Sequence, residues 1–491
     1  MNRQKEPHKV WWCSSSPYAE WRRLSGAVLC LNEGDEPPPE RLLQAIWFHQ
    51  RILRDRLRTV DGRPIRVLHP GFWNRERGPD FRQAMLHIDG EPIRSGDVEI
   101  DLHSHDWHGH GHDANRGFNN VVLHVVWSSV PSNRPTLELR SVLDSPLPEL
   151  AVWLGTEAAG EFPFALRGEC CRPLGGLAEE QLLELLHQAA VLRFHAKAAQ
   201  FQARARQAGW EQAFWEGLFR ALGYKQNLWP MHRLAELLPE LRPAPPASLP
   251  LVELQARLLG TAGLLPDDLP RGEPGGDRYW RVLWDCWWRD RESFQACQLP
   301  RPVWRLSGQR PANHPHRRLA LAAHWLADPS FLARIEDWCA QEPAPGRVAS
   351  SLLTALRIPT DDFWSWHWTI RSPRLPKPRP LLGLTRATDL AVNVILPWLW
   401  MRAVEGKNQP LSQKLERRYF DWPPAEDNAV LRLARRRLLG RESARAFRSA
   451  AAQQGLIQIV RDYCEHADSL CTECRFPEFV RRWPAIGDGQ R

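Results

Sequence analysis

Residues 78–103, GPDFRQAMLHIDGEPIRSGDVEIDLH, decide the fold of this chain. Two runs of strand length flank Asp89-Gly90, a hairpin-type turn. The second run, Gly96 to His103, alternates cleanly. Val98, Ile100 and Leu102 point one way; Asp97, Glu99, Asp101 and His103 point the other. The first, Ala84 to Ile88, follows Gly78-Pro79-Asp80-Phe81. Upstream, Pro64 to Leu68 reads as a short strand closed by Pro70-Gly71. Before it, Leu42, Leu43, Ile46, Trp47, Leu53 and Leu57 recur at helical spacing and predict a helix from Glu40 to about Arg58. Downstream, a polar, His-rich connection from Asp106 to Asn120 leads to Val121–Trp127, a buried strand by its continuous apolar character. The expected order is helix, three-stranded meander, connection, strand.

Strand-like pieces such as Thr136 to Leu139 continue toward Cys170-Cys171, and from Leu177 onward the pattern is helical. The reading is therefore α+β in three parts: an irregular segment 1–39, an α/β domain 40–174, and an all-α region 175–491 broken by Pro-rich stretches near 239–250, 266–274 and 373–380. Hydrophobic content of 43% and charged content of 25% describe a globular chain. No apolar run approaches the ~20 residues that span a bilayer, and the start lacks the apolar core of a signal peptide, so no membrane contact and a cytoplasmic location are expected. The net charge of +8 tolerates a polyanionic partner such as nucleic acid and equally describes an ordinary basic protein. Most of the 25 tryptophans are expected to pack cores.

Acids on a strand face are unusual, since Asp is disfavoured in strands. Asp80, Glu99 and Asp101 could supply hard oxygen ligands to Mg or Mn. Such a cation lowers the pKa of a bound water and neutralises charge on a phosphate. His103 or His124 could orient or deprotonate that water. The bland alternative is a solvated polar face. The placement resembles the PD-(D/E)XK, or restriction-endonuclease-like, superfamily, in which a helix and a three-stranded meander present an Asp, then an acid and a Lys one position apart. Pro79-Asp80 and Glu99-Ile100-Asp101 occupy the matching places, with Asp101 where the Lys would stand. The resemblance implies a metal-dependent phosphodiesterase or nuclease. The missing Lys leaves open a non-catalytic nucleic-acid-binding or scaffold protein that kept the fold.

Six histidines, His103, His105, His108, His110, His112 and His124, cluster in sequence. Imidazole suits transition metals better than Mg, so His110 and His112 with a nearby Asp also allow a transition-metal hydrolase. The pieces Pro70-Gly71, Gly78-Pro79-Asp80-Phe81, Gly96-Asp97-Val98-Glu99-Ile100, Asp106-Trp107, His110-Gly111-His112 and Val122-Leu123-His124-Val125-Val126 resemble the bacterial family called domain of unknown function 2851. The likeness extends to Arg310-Pro311-Ala312-Asn313-His314-Pro315, Arg318-Leu319-Ala320, Gln454-Gly455-Leu456-Ile457 and the last cysteines. Members of that family often carry His at the place of Asp101 and Lys at that of His103.

Cys464, Cys471 and Cys474 have metal-ligand spacing for zinc or an iron–sulfur cluster. The spacing resembles the first three ligands of the iron–sulfur loop in endonuclease III-like glycosylases, whose fourth cysteine would fall at Val480. Cys170, Cys171 or His466 could complete the set, and three reduced thiols in a packed segment are the plain alternative. A basic stretch, Arg432, Arg435, Arg436, Arg437, Arg441, Arg445 and Arg448, could contact phosphates or be a solvated helix face.

Overall fold

The computed structural model describes residues 16–24, 38–74, 78–89, 91–110, 112–129, 134–154, 170–224, 226–242, 249–265, 274–307, 309–344, 346–426, 429–439, 449–464 and 474–487. The architecture is α+β, a mixed sheet followed by a large helical region. By contacts the described residues fall into two units: those within 1–200 and 426–491, and those within 201–425.

The first unit opens with α1 (Pro17–Leu24) and α2 (Glu40–His49), then builds a sheet from β1 (Ile65–His69), β2 (Phe72–Trp73), β3 (Phe81–Ile88), β4 (Arg94–His103), β5 (Val121–Ser128) and β6 (Thr136–Glu138). The spatial order is β1-β3-β4-β5-β6, with the short β2 also on β3. β1, β3 and β4 form the expected antiparallel meander. β5 then runs parallel to β4, and β6 parallel to β5. A parallel neighbour needs a crossover. It is supplied by the one-turn helix α3 (Asp106–Gly109) and two 3-10 turns at His112–Ala114 and Arg116–Phe118. Gly96 lets β4 and β5 approach here, because a Cβ would meet Val122 Cγ1 at 2.3 Å and Asn120 O at 2.7 Å.

α2 is shorter than its periodicity predicts. Gln50 turns left-handed (φ 50°), and its N–H caps the Trp47 carbonyl at 3.0 Å. The chain then leaves the helix because tertiary pairing wins. Ile52 bridges to Leu143, Leu53 N–H donates to Val142 O at 2.7 Å, and Leu57 is buried beyond a 3-10 turn. On β4, Val98 and Ile100 are buried as expected. The opposite, acidic face is buried as well: Glu99 is 7% and Asp101 1% exposed. A solvated strand face is thereby excluded.

The same unit holds a helical core. Tyr18 of α1 packs there with residues of the helices Cys171–Gly175, Glu179–Ala208, Ala429–Leu439, Ala450–Tyr463 and Phe476–Gly487. The second unit is mainly helical in its described residues, with a long irregular stretch over 357–383, and buries Trp280, Trp325, Trp338, Trp364, Trp398 and Trp422. Among the described residues, no helix is long and apolar enough to cross a membrane.

Candidate metal centre

Asp80 enters β3 from a turn at Gly78, whose φ of 111° suits glycine. Backbone and side chains of this segment interlock with β4. The Asp80 N–H donates to Glu99 Oε2 at 3.0 Å, and the Ile100 N–H donates to Asp80 Oδ2 at 3.1 Å. From α2, Gln44 Nε2 donates to Asp80 Oδ1 and to Glu40 Oε1, each at 2.9 Å. Glu40 is not apparent as a site residue from the sequence. Its only signal there is the i,i+4 pairing with Gln44 on the first turn of α2.

These acids sit close together in a desolvated place. Burial first, then the charge of Glu40, pushes the Asp80 carboxyl up to about 8. Burial and then Asp80 push Glu99 up to about 9. Glu40 is raised by burial and then by Asp101. The charges that bear most on Asp80 and Glu99 are thus other carboxylates.

Asp101, two residues along β4, meets the histidines. Its Oδ1 lies 3.0 Å from His110 Nδ1, and its Oδ2 lies 2.8 Å from His124 Nε2 on the adjacent β5. The parallel register, which pairs Glu99 with His124 and Asp101 with Val126, brings His124 beside both acids. His112 Nε2 lies 3.3 Å from Glu99 Oε1. That nitrogen is shielded from solvent and makes no hydrogen bond. The His112 ring is stacked on Phe118 (centroids 3.9 Å apart) and set edgewise to Trp107 at 5.1 Å. Trp107 also meets His124 at 5.3 Å and donates from Nε1 to Asp113 at 2.8 Å. The His-rich connection is therefore a packed lid on the acidic face, held by Trp107 and Phe118. Burial lowers the His112 pKa, which keeps the imidazole neutral and able to ligate.

Ligand atoms of Asp101, His110 and His112 all lie within 4.8 Å of one another, and among the described residues theirs is the one group of three metal donors so placed. The 3.0 Å between Asp101 Oδ1 and His110 Nδ1 is also a separation that two ligands of one ion, with bonds of about 2.1 Å, can have. The donor set therefore fits a cation, and the orphaned His112 nitrogen beside Glu99 is what such an ion would satisfy. Two imidazoles with a carboxylate suit Mn or Zn better than Mg.

The remaining predicted residues fall elsewhere. Asp80 and Glu99 flank the donor group without joining it. His103 Nδ1 lies 2.7 Å from Ser128 Oγ, and its ring stacks on His105. Cys170 and Cys464 lie in the apolar core of the first unit, with Cys474 packed against it. Cys474 Sγ is 4.0 Å from the Tyr463 carbonyl. The described cysteines form no three-donor group of the kind Asp101 makes. Cys471 and His466 lie outside the described residues, as do Arg441, Arg445 and Arg448. Arg432, Arg435, Arg436 and Arg437 lie on the helix Ala429–Leu439.

A family described as "Protein of unknown function (DUF2851)" matches residues 40–429, most of the chain, and the chain belongs to that family. No curated protein and no solved structure matches it.

Proposed function

We propose that this family member is a metal-dependent, nuclease-like phosphodiesterase whose cation is held by Asp101, His110 and His112 beside Glu99. The convergence of those three donors, with a buried and unpartnered His112 Nε2, is the observation that carries the reading. The phosphodiester class is supported by the resemblance of Asp80 and Glu99, on a helix and meander, to the restriction-endonuclease-like arrangement. A polyanionic substrate also accords with the net charge of +8.

When bound, a divalent ion would lower the pKa of a water and withdraw charge from the phosphate. The chain's own residues divide the rest of the work. His124 grips Asp101 Oδ2, which fixes the carboxylate and leaves Oδ1 toward His110. That is the orienting role of a hydrogen bond behind a ligand. Glu99, held by the Asp80 N–H, would be placed to accept a proton from the attacking water once a bound cation had driven off its own proton. His110, half exposed, would be the ligand at the solvent edge of the group. Trp107 and Phe118 keep bulk water off the inner side.

The test is metal analysis of the full chain together with cleavage of DNA and RNA in Mn²⁺. Asp101→Asn and His112→Ala remove direct donors and should each weaken metal binding by more than the about 10- to 100-fold that loss of a ligand's hydrogen-bond partner costs, and abolish cleavage. Equal background cleavage by the wild type, Asp101→Asn and Asp80→Ala would refute catalysis. A second reading is favoured by Asp101 standing where a nuclease Lys would be. It is a non-catalytic nucleic-acid binder, which would show salt-sensitive binding without cleavage.

A further inference from the structure

The motif Arg310-Pro311-Ala312-Asn313-His314-Pro315, with Arg317 and Arg318 just after it, plays no part in the sheet centre. It belongs to the unit within 201–425. It forms a 3-10 turn, Pro311–Asn313, leading directly into the helix Pro315–Ala327. Arg317 and Arg318 therefore fall in the first turn of that helix, yet both are buried. Arg317 is spent on backbone carbonyls, those of Trp364, His367 and Pro380.

Arg318 is 4% exposed. Its Nη1 donates to Leu381 O at 2.8 Å, and its Nη2 to Asn313 Oδ1 at 2.7 Å and Tyr224 Oη at 3.0 Å. The Tyr224 hydroxyl donates to the same Asn313 oxygen at 2.6 Å. Against the face of Tyr224 lies another guanidinium: the Arg386 Cζ is 3.9 Å from the ring centroid. Arg386 is 9% exposed and reaches one carboxylate, Asp389 Oδ2, at 3.1 Å from Nη1. Its Nε and Nη2 are shielded from solvent and make no hydrogen bond, and neither does Arg318 Nε.

Charge does not close here. Among the described residues, three buried guanidiniums meet one carboxylate, Asp389, in hydrogen-bond contact. The nearby Asp361 is taken up by His324 at 2.9 Å and Gln255 at 2.8 Å. Asp361 keeps its charge and bears on Arg317, so three positive charges less two leave an excess of one. Burying unmatched charge with unmet N–H groups is strongly unfavourable. Strain adds to it: Tyr224 holds a φ of 53°, a left-handed conformation costly for a bulky side chain. That conformation turns Tyr224 out of the end of the helix Trp210–Leu222 and presents its ring to both arginines.

We infer that Tyr224, Asn313, Arg318 and Arg386 form an oxyanion site that takes a phosphoryl group. Asn313 and the Tyr224 hydroxyl hold Arg318 in a fixed orientation. Arg386 supplies the donors, through Nε and Nη2, in the fork geometry that matches a phosphate. A phosphoryl group offers the negative charge and the several acceptor oxygens that these unmet donors call for. The site lies in the other unit from the metal centre, and neither depends on the other.

The experiment is thermal denaturation and calorimetric titration of the full chain in EDTA, so that no cation can carry the anion. Inorganic phosphate is compared with chloride at matched ionic strength. A nucleoside 5′-monophosphate is then compared with its nucleoside. Phosphate should raise the wild-type melting temperature saturably. Arg386→Met should weaken phosphate binding at least about tenfold, and without phosphate it should melt no lower than the wild type, because an unmatched buried charge is gone. Arg386→Lys keeps the charge, loses the fork and should show the same weakening if Arg386→Met does not fold. Tighter binding of the monophosphate than of phosphate identifies a nucleotide as the source, and equal binding identifies the free ion; both support the site. A wild-type response no larger than that to chloride, or an undiminished response in Arg386→Met or Arg386→Lys, would overturn it.

Discussion

Raising the pH without divalent cations should destabilise the sheet unit, and Glu99 sets the size of the effect. Its folded pKa stands at about 9, against about 4.3 for an unfolded Glu. A carboxyl raised on folding binds an extra proton in the folded state. Its contribution is complete below about pH 4 and is lost as the pH climbs toward the folded value. Buried neutral histidines act in the opposite direction. His112, His195, His314 and His316 are all lowered by burial, so they cost stability as the pH falls below about 6.5. The window from about pH 6.5 to about pH 8 therefore isolates the carboxyls. Across about 1.5 units, at about 1.4 kcal/mol per unit, Glu99 alone gives up about 2 kcal/mol. Asp80 is partly exposed and titrates with Glu99 as a pair, so no separate share is added for it. Water entry trims the loss to about 1–2 kcal/mol, a fall of a few degrees in melting temperature at about 2–4 °C per kcal/mol. The assay is scanning calorimetry in EDTA at stepped pH on wild type and Glu99→Gln. The wild type should lose stability across the window, the variant should be flatter, and Mn²⁺ should restore the wild type at the alkaline end. Parallel pH profiles for the two proteins would refute the reasoning.

Two further outcomes follow from packing in the same unit. Gly455 lies where a Cβ would meet the Leu186 carbonyl oxygen at 2.0 Å, so Gly455→Ala should cost about 1–3 kcal/mol by overpacking two helices; an unchanged urea midpoint would count against that close approach. Asp462 accepts from Tyr18 Oη and Arg22 Nε, each at 2.7 Å, and is buried. Asp462→Ala should destabilise by about 3 kcal/mol, as breaking one side of a buried ion pair does, and should make the segment around α1 more open to limited proteolysis; protection equal to wild type would show that α1 is held by other contacts.

Much of the sheet is legible in the amino-acid sequence. Strict alternation from Val98 to His103 locates β4, and Asp89-Gly90 locates the hairpin that leads into it. Thr136–Leu139 reads as a strand and pairs beside β5. β2, at two residues, is too short for any periodicity to reveal. The end of α2 is hidden because Leu53 and Leu57 continue the helical spacing, although pairing with Leu143 and Val142 takes Ile52 and Leu53 out of the helix and a 3-10 turn follows. At the site, Asp80 and Glu99 can be placed from order alone. The burial of their face cannot, because it depends on Trp107 and Phe118 folding the connection back over β4. For the same reason the meeting of His110 and His112 with Asp101 is, in the sequence, only one option among several. The orphaned Arg386 donors have no local sequence signal, since their partners' absence is a property of packing.

The gathering of Glu40, Asp80, Glu99 and Asp101 in one desolvated neighbourhood bears on whether the centre is merely structural. A hydrogen-bonded network needs acceptors, and Asn or Gln would supply them without a charge to desolvate. Gln44 already plays that part between Glu40 and Asp80. Acids at the other positions oblige the folded chain either to hold protons at neutral pH, as the raised Asp80 and Glu99 do, or to find positive charge. His112 does not provide it, because burial keeps its imidazole neutral. A lysine one position beyond Ile100 would have balanced this charge. Asp101 in that place adds another acid instead, and draws His110 and His124 to it. Under the proposed function, an acid at this place favours ligation of a cation over proton handling by a side chain, which is why metal affinity, more directly than cleavage, decides the reading.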